Sequence, residues 1–68
     1  MNSMELRAAI ARTGKTYRSL AKDLGISEQA FYNKMNGESE FKNSEIAKLI
    51  KELSLSTDDI NIIFFSVA

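Results

Sequence analysis

The run LGISEQAFYNKMNG, residues 24–37, sets a glycine behind an apolar residue, follows it with a serine and an acid, and then spaces Phe31 and Met35 four apart. Gly25 fits the left-handed position that ends one helix, and Ser27 caps the next through its hydroxyl. Glu28 in the first turn complements the helix dipole. Phe31 and Met35 share a face that must turn inward. Asn36 and Gly37 close the segment.

The residues before this run form a partner helix. Thr16 caps TYRSLAKDLG, in which Tyr17, Leu20, Ala21 and Leu24 make one stripe. The link LGIS is too short for the two helices to lie antiparallel, and this is the spacing of a helix-turn-helix over residues 16–37. Counted from Tyr17, alanine falls at the fifth position (Ala21), glycine at the ninth (Gly25) and a bulky apolar residue at the fifteenth (Phe31). Each has a steric reason. Ala21 lets the helices approach, Gly25 accepts a positive φ, and Phe31 fills the angle between the helices, with Leu20, Leu24 and Ile26 completing the wedge.

Further out, Ser3 is expected to cap a first helix through Thr13, with Leu6, Ala9 and Ile10 on one face and Gly14 at its end. A fourth helix is expected to start at Asn43 or Ser44. Its Ile46, Leu49, Ile50 and Leu53 follow at i, i+3, i+4 and i+7. Thr57, Asp58 and Asp59 open a last segment, DDINIIFFSVA over residues 58–68, in which Ile60, Ile63, Phe64 and Val67 can point one way and Ile62 and Phe65 another. No alternating pattern is long enough for a sheet, so the predicted class is all-α, five helices in one domain spanning residues 1–68.

Composition bounds the function. With 68 residues and 44% hydrophobic content the core is only just sufficient, and no cysteine is present to supply a disulfide or a thiolate metal site. No basic leader and no apolar run near the ~20 residues of a bilayer span is seen, so a soluble, cytoplasmic protein is expected. Catalysis is not expected, since the chain has no histidine, no cysteine and no phosphate-binding glycine loop, and Asp58 and Asp59 are explained by a helix first turn. Neither a metal nor a cofactor is expected; Glu38 and Glu40 lack an EF-hand pattern. The net charge is zero, yet residues 1–37 carry +3 and residues 38–68 carry −3. Such polarity suits a molecule that offers one face to DNA.

On these residues the chain resembles the lambda-repressor-like, Cro-type helix-turn-helix family of phage and bacterial regulators, over nearly its whole length. SLAKDLGISEQAFYNKMNG looks like the family's central motif, and SEIAKLIKELSLSTDDI like its fourth helix and the start of its fifth. FYNKMNGESEFKNSEI is similar to a subgroup found among small phage regulators of Gram-positive bacteria. The resemblance implies a compact five-helix domain whose third helix enters the DNA major groove. It implies base contacts from Glu28, Gln29, Tyr32 and Asn33, and phosphate contacts from Thr16, Tyr17, Ser27, Lys42 and Asn43. Lys15 and Lys34 are expected to add positive charge there. Where the family often has an acid paired with a helix-one arginine, this chain has Met35, which is expected to pack near Ile10.

The residue types agree with part of this. Gln29 and Asn33 share a face, and an amide can bond adenine N6 and N7 together; Glu28 can accept from cytosine N4, and Tyr32 can meet a thymine methyl. Helix N-termini offer N–H groups to phosphate whatever the side chain. Ile62 and Phe65 suggest an interface, and an isologous dimer would place two third helices roughly 34 Å apart on a pseudo-palindromic operator. Glu28, Glu38 and Glu40 oppose phosphate, so a second expectation stands beside the first: an antirepressor or modulator that docks a partner repressor protein rather than DNA.

Overall fold

The computed structural model describes residues 1–65. Among them are five helices and no strand: α1 (Ser3–Thr13), α2 (Tyr17–Leu24), α3 (Glu28–Met35), α4 (Asn43–Glu52) and α5 (Thr57–Ile60), which runs on as a π-helical turn over Asn61–Phe65. The all-α expectation holds, and the helical stripes explain why. Leu6, Ala9 and Ile10 of α1, Leu20, Ala21 and Leu24 of α2, and Phe31 and Met35 of α3 are all buried. Leu49 and Leu53 reach the same core from α4 and its end, with Phe41 from the loop before it. In the last segment Ile63 is buried and Phe64 packs against the core, while Ile62 and Phe65 stay exposed. Val67, expected on the inward side, lies outside the described residues. No helix among the described residues is long and apolar enough to cross a membrane.

The turn between α2 and α3 is built by backbone bonds. Gly25 has φ +73°. Its N–H donates to the Lys22 carbonyl at 3.0 Å and the Ile26 N–H to the Ala21 carbonyl at 3.0 Å. This crossed pair is the Schellman arrangement, and Ile26 packs on the core beside it. Thr16 caps α2 and Ser27 caps α3 as expected, each side-chain oxygen accepting from a first-turn N–H. The left-handed glycine and the serine cap therefore set the short link that the sequence predicts.

Two caps differ from expectation. Asn2, rather than Ser3, caps α1 by accepting from the Glu5 N–H at 3.2 Å. Ser3 instead donates its hydroxyl to the Met35 carbonyl at 2.8 Å, satisfying an acceptor at the end of α3. Lys42, not Asn43 or Ser44, is the residue that precedes α4, and its N–H donates to the Glu45 carboxylate at 2.8 Å. Thr57 opens α5 as expected, and Ser56 caps it in a reciprocal box with Asp59.

The end of α4 repeats the crossed pair of bonds without a glycine. Ser54 N–H donates to the Lys51 carbonyl and Leu55 N–H to the Ile50 carbonyl, with Ser54 at φ +51°. A serine Cβ in this region is strained by about 1 to 2 kcal/mol, part of which glycine returns as lost chain entropy. Ser54→Gly is expected to stabilise the domain by about 0.5 to 1 kcal/mol, a rise in Tm of roughly 2 to 8 °C. An unchanged or lower Tm in a calorimetric scan would show that the strain is not there.

Candidate nucleic-acid interface

α3 presents one face because its other face is held on three sides. From α1, Ser3 holds the Met35 carbonyl and the Arg7 guanidinium donates to the Asn36 side-chain carbonyl at 3.2 Å. From α2, the Tyr17 ring lies 5.3 Å from Phe31 and 5.2 Å from Tyr32, centroid to centroid. On the side toward α4, Phe31 meets the Phe41 ring at 5.6 Å, and Lys34 pairs with Glu45 at 2.6 Å. Edge-on and tilted ring contacts of this kind favour the observed geometry beyond simple area burial.

What remains outward is the predicted group. Glu28 and Gln29 are exposed, Tyr32 is 41% exposed, and Asn33 is half-buried. Gln29 Nε2 donates to Asn33 Oδ1 at 3.0 Å, so these two side chains act as one unit. The Tyr17–Tyr32 contact brings the N-terminus of α2 beside this face. Thr16 and Ser27 spend their side-chain oxygens on the Ser19 and Ala30 N–H groups. What they leave open to an anion is the other first-turn N–H groups of α2 and α3.

The chain belongs to the DUF739 family.

The profile of that family, described as a protein of unknown function, matches residues 4–67. Neither a curated protein nor a solved structure matches the chain. In this DUF739 chain the lysines and Asn43 expected at phosphate divide into two sets. Lys42 and Asn43 are exposed at the start of α4. Lys15 is half-buried and bound to Glu52 at 3.3 Å. Lys34 is withdrawn further: its side chain is 11% exposed and that of Glu45 is 7% exposed. The expectation that Lys34 faces phosphate therefore needs correction, because its ammonium is spent on a carboxylate at the edge of the core.

The charge asymmetry of the sequence is used the same way. Arg12–Asp59, Lys15–Glu52 and Lys34–Glu45 each join a base from residues 1–37 to an acid from residues 38–68. The two halves are thus clamped together, and less of the positive charge is left to face a polyanion. Burial pushes the Glu45 carboxyl up, but the Lys34 hydrogen bond, the Lys42 N–H and the charges of both lysines outweigh it and hold the group below its ordinary value. Asp59 is also held down, chiefly by the Ser56 main-chain N–H, then by the Ser56 side chain, with Arg12 adding to it.

Sequence reasoning missed Arg7 and Ser3 as braces of α3, and Glu45 as the partner of Lys34. Ile62 and Phe65 are 45% and 69% exposed, on the side predicted for them. Phe65 also lines an open groove of about 460 Å³ with Phe41, Asn43 and Ile46, so the apolar end of the chain borders the loop between α3 and α4.

Proposed function

We propose that this chain is a sequence-specific DNA-binding transcriptional regulator of the Cro or repressor type, serving phage or prophage lysogeny control in a bacterial cytoplasm. In this reading α2, the Gly25–Ser27 turn and α3 act as a helix-turn-helix, and α3 enters the major groove. The supporting observation is the division of α3: Phe31 and Met35 are buried and braced, while Glu28, Gln29, Tyr32 and Asn33 stand together on the outward side. The resemblance to the Cro-type family, over nearly the whole chain, supports the same reading. Phosphate contacts then come from the first-turn N–H groups of α2 and α3 and from Lys42 and Asn43. A dimer formed through Ile62 and Phe65 would read a pseudo-palindromic operator.

A random-duplex selection with the pure protein at moderate salt tests this; if no sequence is enriched, the proposal fails. The salt dependence supplies a sharper prediction. Each phosphate neutralised contributes about −0.9 to the slope of log K against log salt. Lys42→Ala is expected to reduce the magnitude of that slope by about 1, whereas Lys34→Met, which removes a cation already paired with Glu45, should leave it unchanged among folded molecules. Equal slope changes for the two variants would reject the assignment.

A second reading has its own support. Glu28 stands in the outward face of α3, and three bases are matched by acids within the molecule. These favour a modulator that docks a partner repressor protein through Tyr32, Phe65 and the acidic loop of Glu38 and Glu40. Co-purification with a co-expressed repressor, lost when any of these is changed, would select this reading over the first.

A further inference from the structure

The open groove of about 460 Å³ lies between the loop that joins α3 to α4 and the π-helical turn that continues α5. Both of its walls are fixed. On the loop side the Glu38 N–H donates to the Asn33 carbonyl at 2.9 Å and the Lys42 N–H to the Glu45 carboxylate at 2.8 Å. On the other side the Asn2 N–H donates to the Ile63 carbonyl at 2.6 Å and holds the turn against the start of α1. Phe41, Ile46, Phe64 and Phe65 make the lining apolar, and Glu40 gives it an acidic lip. Lys34 also lines the groove, but its ammonium is paired with Glu45, so no lysine or arginine is left there to answer Glu40. Lys42, the next cation along the loop, is not a lining residue. Glu38 and Glu40 are both exposed, and the ion pairs among the described residues use neither.

We infer that this groove docks a basic amphipathic helix of a partner protein, with aliphatic side chains entering between Phe41, Ile46 and Phe65 and an arginine or lysine one helical turn away meeting Glu40. This rests on the second reading above, in which a partner protein docks near the acidic loop, and narrows it to one groove and one partner chemistry. Tyr32 drops out, because it packs on Tyr17 and is not a lining residue. The acidic lip repels a phosphate backbone and attracts a cation. An open groove covers one side of what it binds, which suits a helix that keeps its polar face in water; a small ligand needs a site that encloses most of its surface. A second copy of the chain fits this groove less well, since the segment that carries Ile62 and Phe65, residues 53–65, holds Asp58 and Asp59 and no cation to set against Glu40. Walls already fixed before binding keep the ordering cost of docking low.

The test uses the full chain: selection from a random linear peptide library, followed by fluorescence anisotropy titrations with the consensus peptide. Enriched peptides are expected to combine aliphatic residues three or four apart with an arginine or lysine in the same turn. Phe65→Ala and Glu40→Lys should each weaken the consensus peptide about tenfold or more, with thermal unfolding unchanged because both side chains are exposed. A peptide whose cation is replaced by glutamate should bind Glu40→Lys and not wild type, and Tyr32→Ala should bind the consensus peptide as wild type does. The inference is overturned if nothing is enriched, if the enriched peptides are acidic or lack the aliphatic pair, if Glu40→Lys binds the consensus peptide as wild type does, or if Tyr32→Ala weakens it as much as Phe65→Ala. Affinity that rises about tenfold when residues 66–68 are removed, or that falls as the protein is concentrated, assigns the groove to that segment or to a second copy and overturns the inference as well. All of these outcomes leave the docking of a repressor to its own co-purification test. Co-purification that fails while the peptide results hold removes the repressor as the partner and leaves the groove.

Discussion

Lys34→Met is expected to destabilise the domain by about 3 kcal/mol or more, and the double change Lys34→Met with Glu45→Leu to recover most of that loss. The lone substitution leaves the Glu45 carboxylate, 7% exposed in its side chain, with the Lys42 N–H but no counter-charge at 2.6 Å. The double change exchanges a nearly buried ion pair for apolar contacts beside Phe41 and Ile46, which an interior tolerates. For a domain whose whole stability is of order 3 to 10 kcal/mol, the single variant would lose a third or more of it. Urea titrations at pH 7 measure both. A single variant within 1 kcal/mol of wild type would show that the pair is solvated and contributes little, as most surface pairs do.

The same pair has a signature in pH. Glu45 is held below its ordinary value in the folded protein, so it contributes stability that is present above that ordinary value and is lost as pH falls through the lowered one. Without Lys34, burial acts with less opposition and the folded carboxyl moves up. Its pH-dependent contribution then shrinks, because the Lys42 N–H and the Lys42 charge alone oppose burial. The stability difference between wild type and Lys34→Met should therefore narrow as pH falls below the ordinary carboxylate range, and a difference constant from pH 7 to pH 3 would contradict it.

The helices that carry the candidate site were legible because their signals are local. Thr16, Gly25 and Ser27 act within four residues of where they sit, and the stripes of α2 and α3 follow from helical period alone. Serine in front of an apolar stripe usually caps a helix, which is what Ser3 suggests; its actual acceptor lies 32 residues away, beyond any periodicity. Lys34 is similar. Its partner is 11 residues on, across the loop into α4. An acid three residues after Lys42 is a signal for Glu45, since it marks a first turn, but a lysine is not a capping side chain, and Asn43 or Ser44 is the more obvious cap by residue type. The +3 and −3 halves were visible as numbers; that they pair with each other, rather than form opposite faces, depends on how α1, α3, α4 and α5 meet.

Phe31→Ala is expected to cost about 3 to 5 kcal/mol, a large fraction of the domain's whole stability. Phe31 is fully buried and stands between the rings of Tyr17 and Phe41, so its removal empties the angle where α2, α3 and the loop before α4 converge. The cavity cannot be refilled by collapse, because α3 is also tied to α1 through Ser3 and to α4 through Lys34. Tyr32→Ala removes the neighbouring ring, 41% exposed, and should change stability by less than about 1 kcal/mol. Far-ultraviolet circular dichroism against temperature separates the two. The contrast between adjacent residues is the physical content of the two-faced helix: one ring builds the platform and the next is presented on it. If Phe31→Ala unfolds cooperatively within 1 kcal/mol of wild type, α3 is not held by this wedge, and the outward set of Glu28, Gln29, Tyr32 and Asn33 loses the rigid support on which its proposed role in base recognition depends.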